Sequence, residues 1–423
     1  MTGDTQLFDE VAHPMKILVL ATDIPATSRM PGSPRLFNLC RELARHHDLI
    51  LVARCSSQER YRSYLADPGS QGVFRKIKIL PEPSGPSWWG HRQHRLRQAA
   101  YFETKYQYPE YFRSVCETIR ALCRQEHVDL IYVDLIMMAQ YVDPQWRIPA
   151  IIDLHDSMTH LATRMVRSEP GWRKRLSAYG LLMSVKRLEQ KLGSVFDLVI
   201  TNSPVDEQVL KGLSLSMRTR TIANGVDMEF FSPDATRVEP YKLVFTGVMG
   251  YAPNADAAMH FADDILPLVR RKCPNATFWI VGSDPPERLK EYGTRPGIHV
   301  TGKVDDVRPY VRSSALFVCP LRVGSGVKNK ILSAMAMEKA TVATPLSIDG
   351  LNVVDQKEVL LAGDPQSFAD KVVQLLGDEQ QIRRLGANGL ACVRRNYSWA
   401  SMGKVLNEAV QFEATAAAHR ASR

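Results

Sequence analysis

The chain has 423 residues, of which 45% are hydrophobic and 23% charged, and a formal net charge of +9. This length predicts two domains of roughly 200 residues each, and the ordinary composition excludes a disordered or fibrous protein. The apolar runs are far shorter than the ~20 residues of a membrane-spanning helix, and the residues before Pro14 lack the pattern of a secretory signal, so we expect a cytoplasmic protein. Seven cysteines without CxxC spacing or neighbouring histidine clusters disfavour a disulfide framework and a zinc site.

Short runs rich in Val, Ile and Leu recur along the chain and predict β-strands. In the first half they lie at residues 15–22, 49–53, 130–134, 150–154 and 198–202, with helical stretches such as 109–126 between several of them. In the second half they lie at residues 242–246, 277–281, 299–302, 316–320, 341–343 and 359–362. This alternation of strands and helices predicts an α/β protein with two doubly wound, Rossmann-like domains.

The Asn-Gly and Ser-Pro pairs between residues 222 and 240 mark a linker between the two series. We therefore predict an N-terminal domain at 1–225, a C-terminal domain at 240–396, and a segment at 397–423 whose helix packs back toward the N-terminal domain and frays after about residue 413. Open parallel sheets bind ligands beyond the carboxyl ends of their strands, so two such domains facing each other would enclose a cleft. That architecture suits a two-substrate transferase but also fits binding proteins, kinases and epimerases.

The segment at residues 319–337 carries most of the functional signal, because a strand leads through a Gly-Ser-Gly turn into a helix with two lysines in its first turn. Backbone amides at such a turn, the positive end of the helix and the two lysines form an anion site suited to a diphosphate. A purely structural turn with solvated lysines is the alternative interpretation. The predicted phosphate-binding residues are Gly324, Ser325, Gly326, Lys328 and Lys330.

The second half of the chain resembles the retaining family 4 glycosyltransferases, which have the GT-B fold, and especially bacterial sugar transferases of exopolysaccharide or lipopolysaccharide assembly. The matching stretches are 224–231, 244–254, 278–283, 300–310 and 320–345. The resemblance implies a nucleotide-diphosphate sugar as donor substrate, with no cofactor, and adds Gly247, Gly250 and Lys303 to the donor site. No pair of carboxylates of the DxD type occurs in a convincing context, so we predict no catalytic metal.

Two serines depart from the family pattern. Many members use two glutamates, eight positions apart, against the donor sugar and the ribose, and Ser325 and Ser333 occupy those positions here. The hydroxyl of Ser333 still offers the ribose a hydrogen bond, on the scale of ~0.5–1.5 kcal/mol against ~1.5–3 kcal/mol for a charged group. These losses leave open a degenerate, non-catalytic scaffold in a polysaccharide complex, and a GT-B epimerase or phosphorylase is a further alternative.

The first half supplies the predicted acceptor side. Gly32, in the loop after the first strand, and Arg35, on the following helix, match in order the family's loop that approaches donor and acceptor, although its second glycine is missing. His155 and Asp156 follow the fourth predicted strand at the edge where ligands bind, and they can accept the acceptor's hydroxyl proton or orient donor hydroxyls. We predict that these two are catalytic; a capped strand end is the alternative.

Basic residues are concentrated between Arg164 and Lys191, and a mixed aromatic and basic stretch begins at Trp88. Such surfaces suit anionic lipid headgroups, and hence a glycan or polyprenyl-linked acceptor and a peripheral position on the inner face of the cell membrane. Solvated helix faces are the alternative, and without a recognition motif we expect no nucleic-acid partner. The sequence thus predicts a retaining hexosyltransferase-type enzyme of cell-surface polysaccharide synthesis.

Overall fold

The computed structural model describes residues 14–27, 34–55, 57–81, 83, 104–168, 171–324 and 327–421. The chain divides into two compact units. The N-terminal unit comprises the residues up to 223 together with those from 402 onward, and the C-terminal unit comprises residues 224–401. Each unit is a parallel sheet with its own helices.

The N-terminal unit contains a seven-stranded sheet in the order β3-β2-β1-β4-β5-β6-β7, with parallel pairing throughout. Its strands are β1 (Lys16–Ala21), β2 (Asp48–Ala53), β3 (Lys76–Ile79), β4 (Leu130–Asp134), β5 (Ala150–Asp153), β6 (Leu198–Thr201) and β7 (Thr219–Thr221). Every residue of β4, β5 and β6 is buried, as expected for parallel strands covered on both faces. The edge strands β3 and β7 were not predicted.

Seven helices lie within the described part of this unit. They are α1 (Arg35–Leu43), α2 (Gln58–Ala66), α3 (Thr104–Gln107), α4 (Pro109–Glu126), α5 (Met158–Ser168), α6 (Trp172–Leu192) and α7 (Pro204–Leu213), with 3₁₀ turns at 68–70, 136–141 and 144–146. The buried carboxylate of Glu189, on α6, accepts the backbone N–H groups of Met158 and Thr159 at 2.7 and 3.2 Å. It thereby satisfies two of the amides that the first turn of α5 leaves without helical partners.

The C-terminal unit contains a six-stranded parallel sheet in the order β10-β9-β8-β11-β12-β13. Its strands are β8 (Glu239–Thr246), β9 (Thr277–Val281), β10 (Ile298–Val300), β11 (Ser314–Cys319), β12 (Thr341–Ala343) and β13 (Leu360–Leu361). Its helices are α8 (Ala252–His260), α9 (Leu266–Lys272), α10 (Glu287–Lys290), α11 (Arg308–Arg312), α12 (Asn329–Ala336), α13 (Pro365–Leu376) and α14 (Glu379–Asn396), with a π-helical turn at Phe261–Ile265 and 3₁₀ turns at 291–294 and 345–348. Both sheets are doubly wound.

The last helix, α15 (Trp399–Ala421), continues past residue 413, where we expected it to fray. Alanine has the highest helix propensity, and four of the five residues at 414–418 are alanine. The helix is also tied to the N-terminal unit by charged pairs: Glu413 with Arg218 at 2.8 Å, and Arg420 with Asp197 at 2.7 Å. Throughout the described part of the chain, every helix is too short or too polar to cross a bilayer.

Candidate functional site

A cavity of about 410 Å³ opens in the C-terminal unit, among the loops that follow β8, β9 and β10 and along one face of α12. This is the carboxyl edge of the sheet, where open parallel sheets bind ligands. Its lining comprises Phe231, Thr246, Gly247, Val248, Val281, Gly282, Ser283, Lys303, Val304, Val307, Val311, Lys330, Ser333, Ala334 and Met337. Four of the predicted donor residues therefore meet here: Gly247, Lys303, Lys330 and Ser333.

Lys330 supplies a cation to the wall of this cavity from the first turn of α12. Its ammonium donates a hydrogen bond to Oδ1 of Asn254 at 2.6 Å and lies 4.4 Å from the centre of the Phe245 ring. Burial disfavours the charged form and lowers the pKa of Lys330 to about 8. An anion that enters the cavity would therefore gain a partner whose charge no described carboxylate pairs.

Two glycines bring the loops after β8 and β9 together. Gly282 has a φ of +149°, and a Cβ built on it would lie 1.7 Å from the carbonyl oxygen of Gly247. A Cβ on Gly247 would in turn lie 2.8 Å from both the Lys330 ammonium and the side-chain nitrogen of Asn254. Only glycine leaves room for this approach, so the backbone of the β8 loop can come close to a bound ligand.

The remaining predicted donor residues lie outside the cavity lining. Gly250 is exposed, beside Asp284. Gly324 has a φ of +128°, and Lys328, directly before α12, is buried. Ser325 and Gly326 lie outside the described residues.

In the N-terminal unit, a buried charged network occupies the carboxyl ends of β4 and β5. Asp153 accepts hydrogen bonds from the Arg35 guanidinium at 2.9 Å and from the Tyr132 hydroxyl at 2.8 Å. Burial favours protonation of Asp153, but the charges of Arg35 and His155 and the hydrogen bonds from Arg35 and Tyr132 together outweigh it, so the pKa of Asp153 lies below its ordinary value. Arg35 is 1% exposed and also donates to the carbonyl oxygen of Ala223 at 3.1 Å. The Arg35 guanidinium therefore lies in the protein interior and not in an exposed loop. These hydrogen-bond partners provide what a buried cation requires.

His155 lies next to this network, with the left-handed φ of +63°. Its Nε2 lies 2.9 Å from Oδ1 of Asp134, the last residue of β4. Burial lowers the pKa of His155, but the hydrogen bond to Asp134 and the charge of Asp153 outweigh it, so the pKa lies above its ordinary value. Asp156 is exposed, and Gly32 lies outside the described residues.

Sequence reasoning did not identify two partners of these site residues. Asn254 is 76 positions from Lys330, and no local pattern connects them. Asp134 could have been predicted from the sequence, because it ends the strand adjacent to β5 and the carboxyl ends of adjacent parallel strands lie at the same edge of the sheet.

Two family models match the chain: Glycosyltransferase Family 4 over residues 34–230, and Glycosyl transferases group 1 over residues 240–378. Among curated relatives, an uncharacterized 44.6 kDa protein in the cps region of Klebsiella pneumoniae is 20% identical over 234 residues, which is 53% of this chain and 58% of the relative. An uncharacterized glycosyltransferase of Methanocaldococcus jannaschii is 27% identical over 124 residues, 27% of this chain and 31% of the relative. The chain thus spans only part of the length of these curated relatives.

Solved structures are similar over nearly the whole chain. Sucrose-phosphate synthase from Thermosynechococcus elongatus has a TM-score of 0.65 at 18% identity, covering 95% of this chain and all of that one. HepE from Anabaena, solved in complex with UDP, has a TM-score of 0.63 at 16% identity, covering 94% and 99%. Identities this low show only the fold, whereas the family models show that the chain is a glycosyltransferase. The predicted family and fold are confirmed: the chain belongs to the glycosyltransferases of the GT-B fold, with a family 4 domain followed by a group 1 domain.

Proposed function

We propose that this glycosyltransferase moves a hexosyl group from a nucleoside-diphosphate sugar, bound in the C-terminal cavity, to a glycan or lipid-linked acceptor with retention of anomeric configuration. The observation that carries the proposal is the position of Lys330 in the cavity wall, beside Gly247 and at the start of α12. HepE, which has the same fold, was solved with UDP. The relative in a cps region accords with a role in cell-surface polysaccharide synthesis.

Backbone amides and positively charged groups both support the assignment of the donor site. A diphosphate carries negative charge that is expensive to bury without partners. The first turn of α12 offers backbone amides and the positive end of the helix dipole, and Lys330 adds a full charge. Lys303, exposed at the rim, adds a second cation. These groups suit a diphosphate without a metal or another cofactor.

In the proposed reaction an acceptor oxygen bonds to the anomeric carbon while the bond from that carbon to the diphosphate oxygen breaks. The acceptor's proton passes to the departing diphosphate on the same face, so no enzymic nucleophile is required. The protein's contribution is then positioning of the reactants and stabilisation of the charge that develops on the diphosphate. Lys330 is the residue that we place against that charge.

On the acceptor side we assign the site to His155, with Asp134 as its positioning residue. The contact of Asp134 with Nε2 fixes the ring and leaves Nδ1 as the nitrogen available to a substrate hydroxyl. Exposed Asp156, the next residue, is the second group that we expect to face a substrate. Arg35 and Asp153 support the strand ends from which these side chains project.

For a lipid-linked acceptor, the hairpin of α5 and α6 provides a fitting surface. At the start of α6, Trp172 is 72% exposed, Leu176 66% and Tyr179 52%. The three residues between the first two of these are Arg, Lys and Arg. Exposed aromatic and aliphatic side chains among cations match the boundary of an anionic lipid bilayer, so we propose that α6 rests on such a membrane. The mixed segment that begins at Trp88 lies outside the described residues.

The first test measures thermal stabilisation by a panel of nucleoside diphosphates and nucleotide sugars. At 100 times Kd, a ligand bound only by the folded state adds about 2.7 kcal/mol, which raises Tm by roughly 5–10 °C for a unit of this size. Lys330→Ala should remove most of that shift. Lys290→Ala, which alters a surface lysine paired with Glu287 in the same unit, should retain it.

Turnover separates the remaining alternatives. A nucleotide sugar that stabilises the protein should be consumed with release of the nucleoside diphosphate, slowly in water and faster with an acceptor extract. Binding without any turnover would support the scaffold alternative, and interconversion of donor sugars without transfer would support an epimerase. Absence of stabilisation by every nucleotide at millimolar concentration would refute the proposed donor site.

A further inference from the structure

One side chain joins α12 to the loop that follows β8. Asn254, in the first turn of α8, is 8% exposed. Its amide oxygen accepts a hydrogen bond from the Lys330 ammonium at 2.6 Å, and its amide nitrogen donates one to the carbonyl oxygen of Val248 at 2.9 Å. The two partners fix the orientation of the amide, because an ammonium only donates and a carbonyl oxygen only accepts.

The contacts of this amide lie at the cavity wall. Lys330, Val248 and Gly247 all line the cavity. A Cβ on Gly247 would lie 2.8 Å from the amide nitrogen of Asn254 and at the same distance from the Lys330 ammonium. The ammonium also lies 4.4 Å from the centre of the buried Phe245 ring. The ammonium, the amide and the loop backbone are therefore packed together, so a change in the amide alters the position of the other two.

The partner that orients Lys330 carries no charge. Four other lysines of this unit pair with carboxylates: Lys242 with Glu239, Lys272 with Asp370, Lys290 with Glu287 and Lys357 with Glu358. The titratable groups that face the Lys330 ammonium are the Cys319 thiol, on β11, and Lys328, directly before α12, and Lys303 lines the same cavity. Among the described residues no carboxylate pairs with Lys330, so its charge is left for a ligand.

An amide suits this position because it orients the ammonium without neutralising it. A lysine ammonium has three N–H donors, and Asn254 accepts from one of them. Two remain for the oxygens of a diphosphate. The bond to the Val248 carbonyl has a second effect, because that oxygen would repel a diphosphate if the loop turned it into the cavity. Both bonds therefore preorganise the wall for an anion before it enters.

We propose that Asn254 is a positioning residue of the donor site. Its amide holds the Lys330 ammonium and the loop after β8 in the geometry that the diphosphate meets, and its neutrality leaves the charge of the lysine to the phosphate oxygens. The inference rests on the proposed function, because it takes the cavity to be the donor site. It adds the requirement that the side chain at position 254 be both polar and uncharged.

The test compares Asn254→Asp and Asn254→Ala with the wild-type protein in calorimetric titrations at pH 7 and pH 9. The ligand is whichever of UDP, GDP, ADP and dTDP stabilises the wild-type protein most. With the pKa of Lys330 at about 8, the wild-type protein should bind it about tenfold more weakly at pH 9 than at pH 7. Asn254→Asp preserves the shape of the side chain but pairs the ammonium with a carboxylate, so binding at pH 7 should weaken at least about tenfold.

The pH profile separates this role from a merely structural one. In Asn254→Asp the new carboxylate raises the pKa of Lys330, so the affinity should be nearly the same at pH 7 and pH 9. Asn254→Ala removes the acceptor without adding a charge, so it should weaken binding about threefold to tenfold and keep the fall with pH. Asn388→Asp, on α14 of the same unit, also loses an amide that donates to a backbone carbonyl, and this matched control should bind like the wild-type protein.

An Asn254→Asp variant that binds as tightly as the wild-type protein, or that keeps the wild-type fall with pH, would overturn this inference and leave the proposed function standing. If Asn254→Asp does not fold, Asn254→Ala decides alone, and an affinity within about twofold of the wild-type value overturns the inference. If the wild-type protein binds none of the four nucleotides, the cavity is not a donor site, and the proposed function fails together with the inference.

Discussion

The lowered pKa of Lys330 makes donor binding dependent on pH in an unusual range. With a pKa of about 8, the free site is roughly nine-tenths protonated at pH 7 and one-tenth protonated at pH 9. A bound diphosphate stabilises the ammonium and raises its pKa, so binding requires the protonated form. Affinity should therefore be near its full value at pH 7 and fall about tenfold between pH 7 and pH 9, or about 1.4 kcal/mol.

The measurement is isothermal titration of a nucleoside diphosphate at pH 7, 8 and 9. The terminal phosphate loses its last proton near pH 6, so it does not titrate in this range. At pH 8, buffers of different ionisation enthalpy should reveal uptake of about half a proton per nucleotide bound. Lys330→Arg should abolish both the uptake and the pH dependence, because arginine stays protonated at pH 9.

Lys290→Arg, at a surface position of the same unit, is the matched control and should retain the wild-type pH dependence. Equal affinity at pH 7 and pH 9 in the wild-type protein would refute this reasoning. A pH dependence that persists in Lys330→Arg would do the same, because it would assign the titrating group to another residue.

Three further predictions concern both units. Arg35→Met leaves Asp153 buried without its cation and should lower the free energy of unfolding by about 3–5 kcal/mol in denaturant titrations, whereas Arg220→Met, at an exposed pair with Glu408, should change it by at most about 1 kcal/mol. Since the pKa of Asp153 is depressed, this stabilisation is present at neutral pH and is lost only as the pH falls below about 4. Equal effects of the two variants would contradict the assigned network. Gly282→Ala places a methyl group against the Gly247 carbonyl and should abolish nucleotide binding or folding of the C-terminal unit in thermal-shift assays. Gly293→Ala, whose new methyl group would lie no closer than 3.7 Å to another residue, should preserve both. Normal binding by Gly282→Ala would show that the two loops need not meet. Replacing Trp172 and Leu176 by Ser should reduce co-sedimentation with anionic vesicles at least several-fold, whereas replacing exposed Leu215 should not, and identical sedimentation of all proteins would exclude α6 as the membrane contact.

The fold was largely predictable because its central strands are buried on both faces and therefore read as continuous apolar runs. The two unpredicted strands lie at sheet edges. β3 alternates lysine with isoleucine, and β7 is the short polar run Thr-Arg-Thr. Charged, short edge strands are common because they discourage pairing with other chains, and the same features hide them from a search for apolar runs.

The site was predictable where a local pattern encodes it. Lys330 follows from the strand, turn and helix order of one segment and Ser333 from the resemblance to the family, and both line the cavity. The contact of Lys330 with Asn254 and the depth of Arg35 depend on packing between residues 76 and 118 positions apart. Nothing in the spacing of a single sequence fixes such long-range contacts.

The central claim is that the cavity along α12 holds the diphosphate of the donor. A crystal structure of the protein with a bound nucleoside diphosphate tests it most directly. The account predicts diphosphate oxygens within hydrogen-bonding distance of the Lys330 ammonium, close to the backbone of Gly247. A nucleotide bound elsewhere, with Lys330 still held only by Asn254, would contradict it.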